Sequence, residues 1–396
     1  VRNQVGIERC NEIFYELPLN EWNEIGGSKI KFTDFLKIPN ELIKINRHYN
    51  WNYNSSMKLK VLLTYFILSY GLFFYAYKFS QPDIQGLKDY EQYQLMYNGW
   101  NFNEVESPFN TRIISTYGIY LLNNLGVYYD NQVAISDNRL EKKVFFNALF
   151  FNYLSIVFTA WFVFLICHWH NSNFLISFTT GLLYFVSFGT FYFALNPLTE
   201  AFSILMATAI YFLYLKRSNW IFLLLLLAII QREYIFFVFS LLALIELFKI
   251  KSLKQSKYQI MIFAACVVGF ITYYILRNTF FYTPHHDEQL KVGSFITNLL
   301  NSSFPFWPYF KQTILIQNIV GFYLILVLHN KIKLSHFNLA DFATIVLLML
   351  QAIFISYMAI LGNSAGRYFY TAIAVVLFFI SKELIFLKSN WRYLEK

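Results

Sequence analysis

Five short polar groups interrupt an otherwise apolar chain, and together they hold residue types for proton transfer and phosphate binding. The first contains Asp83, Asp89, Glu91 and Arg112. The second is Asn196-Pro197-Leu198-Thr199-Glu200, and the third is Gln231-Arg232-Glu233. The fourth is His285-His286-Asp287-Glu288, and the fifth spans 362–367 and ends on Arg367. A carboxylate of this kind can take the proton of a hydroxyl nucleophile. Arginines bind phosphate through paired, charge-assisted hydrogen bonds. The combination suits transfer of a group away from a lipid-linked phosphate, with arginines stabilising the charge that develops on the departing phosphate.

The elements that must position these groups are helices. Of 396 residues, 57% are apolar, 21% aromatic and only 14% charged, against about a quarter charged in soluble domains. Apolar runs such as 220–230 and 342–360 approach membrane-spanning length. Disorder, fibrous repeats and secreted disulfide scaffolds are excluded by this composition. Cys10, Cys167 and Cys266 are scattered, and the last two lie in apolar runs, where they read as packing residues. The expected fold is all-α, a polytopic transmembrane bundle. Apolar segments fall near 61–77, 144–167, 174–195, 198–215, 219–231, 234–248, 259–280, 311–328, 339–361 and 368–386. That makes about ten membrane segments.

Charge placement sets the orientation. The net charge of +9 does not point to nucleic acid, because the basic residues lie in clusters between apolar segments, where they act as topology signals. With Lys58 and Lys60 in the cytoplasm, a first outer loop covers 78–143. Counting onward, Lys216/Arg217, Lys249 to Lys257, Lys331/Lys333 and the tail 388–396 all fall inside. Arg139, Lys142 and Lys143 are the exception, tolerable because long loops translocate largely regardless of charge. All five polar groups then face outward. This count needs a break in 219–248, which as one helix would be about 45 Å long. A pair of short helices meeting at Gln231-Arg232-Glu233 resolves the excess, provided their junction is buried in protein or lines a wet cavity. Ionisable residues at such depth are functional candidates by default.

Residues 1–56 are polar and unlike the rest, whereas Met57, Lys58 and Lys60 followed by 61–77 read as a retained signal anchor. The expected division is a cytoplasmic segment 1–56 and a transmembrane domain 57–396.

Several stretches resemble one family in order and sidedness. Asp89-Tyr90-Glu91-Gln92-Tyr93-Gln94-Leu95-Met96 looks like the acidic start of the first outer loop in GT-C glycosyltransferases. Ser107-Pro108-Phe109-Asn110-Thr111-Arg112-Ile113-Ile114 is similar to the arginine-bearing stretch that follows it. Asn196-Pro197-Leu198-Thr199-Glu200 resembles the family's outer turn, and Gln231-Arg232-Glu233-Tyr234 its short-helix junction. Ala365-Gly366-Arg367-Tyr368 resembles a late outer turn. The resemblance runs from Met57 to about Asn390. It implies a GT-C-type bundle whose enzyme moves a sugar from a polyprenyl-phosphate donor to an acceptor hydroxyl with inversion. The acceptor would be glycan, lipid or protein. Asp89 would be the base, with Asp83 the alternative, and Arg232, Arg367 and Arg112 would hold the donor phosphate. Glu200, Glu233, His285 and His286 would contact substrate. No metal or other cofactor is required, although some relatives use a divalent cation, which would place His285 and His286 beside it. The location implied is the cytoplasmic (inner) membrane, with both termini cytoplasmic. Residues 1–50, through Glu16-Leu17-Pro18-Leu19, Gly26-Gly27-Ser28-Lys29-Ile30-Lys31 and Phe35-Leu36-Lys37-Ile38-Pro39, resemble the end of a family-2 glycosyltransferase domain.

Plain structural roles compete for the same residues. Asp89 and Glu91 can be simply solvated, Arg232 and Glu233 can be an ion pair joining two short helices, and Glu200 can serve the dipole of its helix. His168 and His170 fit an interfacial position. Two other functions also use such residues: a polymerase or ligase acting on diphosphate-linked glycans, and a flippase or transporter of lipid-linked sugars. The long loop lies early in the chain, which disfavours the first. The polar residues collect at one face and no inverted repeat is visible, which disfavours the second.

Overall fold

The computed structural model describes residues 52–79, 88–102, 104–106, 109–126, 142–249, 253–281, 318–358 and 365–394. Among them there are helices and turns but no strand. In chain order the helices are α1 (Asn52–Phe79), α2 (Lys88–Gly99), α3 (Ile113–Asn124), α4 (Lys142–Asn171) and α5 (Phe174–Phe185). Then follow α6 (Glu200–Leu215), α7 (Trp220–Ala228), α8 (Tyr234–Lys249), α9 (Leu253–Thr279) and α10 (Asn318–Leu334). The last are α11 (Leu339–Met358), α12 (Ala365–Tyr370) and α13 (Ile373–Leu394).

Among the described residues, three stretches are long and apolar enough to cross a membrane: Ser56–Tyr77, Lys143–Asn171 and Ser256–Thr279. The first and third turn apolar side chains outward, Ile67 and Leu68 on α1 and Val268 and Tyr274 on α9 among them. Among the described residues, Phe174–Phe185, Glu200–Leu215 and Leu339–Ile355 are apolar but shorter.

Helix α4 is the central post, packed by α1, α5 and α6. Its alignment with α1 is antiparallel: the Trp161 indole donates to the carbonyl of Lys58 at 3.0 Å, while Phe146 meets Phe73 edge to face at the other end. Lys58 therefore marks one end of the bundle. Its charge is felt at His168 and Lys216, which places three of the basic groups of the sequence together. The polar turns gather at the opposite end. His168 and His170 lie at the basic end of α4, stacked on Phe164 and edge-on to Phe378 respectively.

Two expected segments are broken. The stretch 174–195 stops at Phe185 and resumes as a π-helical turn, Thr190–Ala194. Asn318 of α10 bridges the break, donating to the carbonyl of Val186 at 3.0 Å and accepting from the amide of Phe188 at 2.9 Å. One side-chain amide thus satisfies both a donor and an acceptor that a helix would have paired internally. The segment 368–386 breaks at Thr371–Ala372, between α12 and α13. Conversely, the stretch 78–143, expected as a loop, contains α2 and α3.

A glycine in the first break packs against the residue that precedes the second. A Cβ on Gly189 would stand 2.2 Å from the ring of the fully buried Tyr370, whereas one on Gly71 would meet nothing within 4 Å. Gly189→Ala is therefore expected to cost about 1–3 kcal/mol through overpacking. Gly71→Ala should be neutral or gain about 0.5–1 kcal/mol from helix propensity. Thermal unfolding of the two purified variants checks the contrast.

Candidate functional site

The site is built on the turn before α6. Residues 196–198 leave backbone carbonyls that no helix pairs, and these, with that of Thr199, are met by side chains from three other elements. Asn152 of α4 donates to the carbonyl of Leu198 at 2.7 Å. Tyr97 of α2 donates to that of Pro197 at 3.2 Å. Gln231, between α7 and α8, donates to that of Thr199 at 3.4 Å. The turn is fixed by its surroundings rather than by its own sequence.

Gln231 does more than this. Its Nε2 also donates to Ser115 Oγ of α3 and Ser203 Oγ of α6, each at 3.0 Å, while its Oε1 accepts from the amide of Ser115 at 3.0 Å. The amide of Ile113 pairs with the carbonyl of Ile230 at 2.9 Å. The free amides that open α3 are thus capped from the α7–α8 junction, where α7 ends because its backbone is needed elsewhere. Gln231→Leu keeps the volume and removes every bond of the Gln231 side chain from a fully buried site. It is expected to cost about 1–3 kcal/mol for each polar partner left unsatisfied. A lowered unfolding midpoint, together with faster hydrogen exchange across residues 112–116, would report it.

Glu200 opens α6 and is 3% exposed. It accepts from Nη2 of Arg232 and from Nη2 of Arg367, forming a buried carboxylate clamped by two guanidinium groups. Arg232 has a further bond to Thr199 Oγ1 at 3.3 Å and lies over the Tyr234 ring, 5.1 Å from its centre. Arg367 is 22% exposed, and its Nη1 reaches Oδ2 of Asp89 at 3.6 Å. The Asp89 side chain is 35% exposed in the first turn of α2. Four sequence segments therefore meet in one chain of charges: Asp89, Arg367, Glu200 and Arg232.

Arg112 completes the cluster from the start of α3. It is 5% exposed and flanked by the rings of Tyr93 and Phe109, each centred 5.5 Å away. Among the described residues its Nε and Nη1 find no hydrogen-bond partner. Burial pulls its guanidinium down to about 9, and the charges of Arg232 and Arg367 press the same way, opposed by Glu233. It still carries its proton at neutral pH. Desolvation pushes the Glu233 carboxyl up, but Arg112 and Arg232 outweigh it and hold that group below the ordinary range. A buried guanidinium with idle donors is costly and attracts an anion.

The expected residues thus divide. Asp89, Arg112, Glu200, Arg232, Glu233 and Arg367 lie within electrostatic reach of one another. Asp83, His285 and His286 lie outside the described residues. Among the described residues, no group of three or more His, Cys, Asp or Glu side chains is arranged to hold a metal ion. The expected alternative of an Arg232–Glu233 ion pair is replaced by Arg232–Glu200, because adjacent residues point in different directions. Asn152 was not among the expected site residues, although an asparagine inside an apolar span signals a required partner. The chain matches no protein-family model, curated protein or solved structure.

Proposed function

We propose that the protein is a multi-pass glycosyltransferase of GT-C type in the cytoplasmic membrane, using a polyprenyl-phosphate-linked sugar at the outer face. The observation that carries this reading is the meeting of a partly exposed carboxylate, Asp89, with three arginines at the end of the bundle away from Lys58 and Lys216.

The residues divide the work by depth. Arg232 is almost fully enclosed on Glu200 and holds the floor, whereas Arg367 is partly exposed and Arg112 keeps idle donors, so these two are the groups that reach phosphate oxygens. Asp89 takes the proton from the acceptor hydroxyl as that oxygen attacks the anomeric carbon. The bond from the anomeric carbon to the phosphate oxygen breaks, and its electron pair stays on the phosphate. The arginines stabilise that charge in a site with little water, where such interactions are strongest. Inversion follows from a single displacement.

Proteoliposomes loaded with radiolabelled polyprenyl-phosphate sugars provide the test, with release of free polyprenyl phosphate as the readout. Release is the expected result. Movement of labelled lipid between leaflets without release would overturn the reading in favour of a flippase. Arg112→Met gives a second expectation with an unusual sign. Removing a buried charge with idle donors should leave the unfolding midpoint unchanged or raise it. The same change should lower kcat/KM for the donor by about 10–100-fold, since a charge-assisted bond is worth about 1.5–3 kcal/mol.

A further inference from the structure

The outer face of α2 carries a second feature that the proton and phosphate chemistry leaves unused. Glu91, Gln94, Leu95 and Asn98 recur at helical spacing on the side away from the buried Tyr93 and Tyr97. Together with Asn101 and Glu104 in the following loop they line a groove of about 410 Å³. That volume falls within the roughly 300–1,000 Å³ of small-molecule sites. Its lining is mostly amide and carboxylate groups, with one aliphatic side chain.

The groove is held in shape. The chain turns sharply at Trp100, whose φ of 54° is uncommon for a residue with a side chain, and the Trp100 amide closes on the carbonyl of Met96 at 3.2 Å. Gln92 Oε1 accepts from the amide of Glu106 at 2.9 Å, tying the far end of the loop back to α2. Val105 is fully buried beneath it, and Asn110 donates to its carbonyl at 3.2 Å. Next along the chain from the groove, the Trp100 ring packs edge to face with Phe102 at 4.5 Å and with Tyr117 at 4.9 Å, and Tyr117 remains 45% exposed.

We propose that this groove binds a neutral oligosaccharide. Side-chain amides and carboxylates can each engage vicinal hydroxyls, because they present two polar atoms at the spacing of neighbouring oxygens. An aromatic face matches the C–H side of a pyranose ring, which is apolar while its rim is polar. An oxygen-rich groove with two carboxylates would also suit a hard divalent cation. The aromatic rings next along the chain serve a sugar and do nothing for a cation. Residues 89 and 98 are separated by about 13 Å along the helix axis, so a saccharide lying on α2 points its end toward Asp89. As the acceptor site of a transferase the inference rests on the reading above; as a saccharide-binding groove it stands separately.

The test is binding to the full chain in peptidodiscs free of sugar-headed detergent, read by saturation-transfer NMR and tryptophan fluorescence. The probes are short neutral gluco-, galacto- and manno-oligosaccharides at up to about 10 mM, the range where weak sites saturate. At least one probe is expected to bind saturably. Asn98→Ala/Asn101→Ala, both on the groove surface, should weaken it by about tenfold or more with an unchanged unfolding midpoint. Trp100→Ala should abolish the fluorescence response, and Asp89→Asn should retain binding. The inference is overturned by failure of every probe to bind, or by equal binding in the asparagine double variant. Calcium alone stabilising the wild type but not Glu91→Gln/Glu104→Gln, with no saccharide bound, would also overturn it and assign a cation site. Donor consumption without saccharide binding sinks only this inference. Binding without donor consumption sinks only the transferase.

Discussion

Asp89→Asn is expected to abolish sugar transfer, by about 10²–10⁴-fold in kcat, while leaving the protein folded and inserted. The two halves of that expectation have separate physical grounds. The asparagine amide has nearly the shape of the carboxylate but cannot take a proton from the acceptor hydroxyl. Stability should hardly change, because the Asp89 side chain is 35% exposed and its contact with Arg367 is long, at 3.6 Å. An ion pair of that kind is worth about 0–1 kcal/mol. Transfer rates in proteoliposomes and the unfolding midpoint of the same preparation measure the two quantities together. Full activity would remove Asp89 from the role of base. Loss of activity together with a large loss of stability would mean that Asp89 is a structural partner of Arg367.

Glu200→Gln should behave in the opposite way. The carboxylate is buried between Arg232 and Arg367, and neutralising it strands two guanidinium groups, one of them almost fully enclosed. Removing one partner of a buried charge group costs about 3–5 kcal/mol. That is a large fraction of the total stability of an ordinary domain. The double variant Glu200→Gln/Arg232→Met removes the stranded charge as well and should recover much of the loss, which a double-mutant cycle reads directly. If the single variant unfolds at the wild-type temperature, the clamp is not a stabilising element.

Much of this site was legible beforehand because ionisable residues in an apolar chain are rare. Gln231-Arg232-Glu233 announced a helix break, since no single helix of that length suits a bilayer, and α7 and α8 do stop and start around it. The convergence of Asp89, Arg112, Glu200, Arg232 and Arg367 followed from their common side of the bundle. What the sequence did not reveal is which charge holds which. The partner of Arg232 lies 32 residues away in Glu200 rather than beside it in Glu233, a choice made by helix packing. The breaks after Phe185 and at Thr371–Ala372 were also invisible, because hydropathy is continuous across both. The group that bridges the first, Asn318, is 130 residues distant. Asn147 and Asn152 in α4 did leave a signal, two amides in an apolar run. Their partners, the Asn123 side chain and the carbonyls before α6, could only be found in three dimensions.

The doubly held carboxylate also imposes an order on synthesis. Glu200 and Arg232 leave the ribosome 32 residues apart, and Arg367 follows Glu200 by 167. At roughly 5–20 residues per second, the first arginine is available within seconds, and the second arrives only when the last helix is being made. During that interval the acidic start of α6 already has a counter-charge and can be buried as a neutral pair. Asp89, made long before, waits for Arg367. The nascent protein therefore emerges with Asp89 and Arg367 apart, and the cluster is complete only once its C-terminal helices are in place.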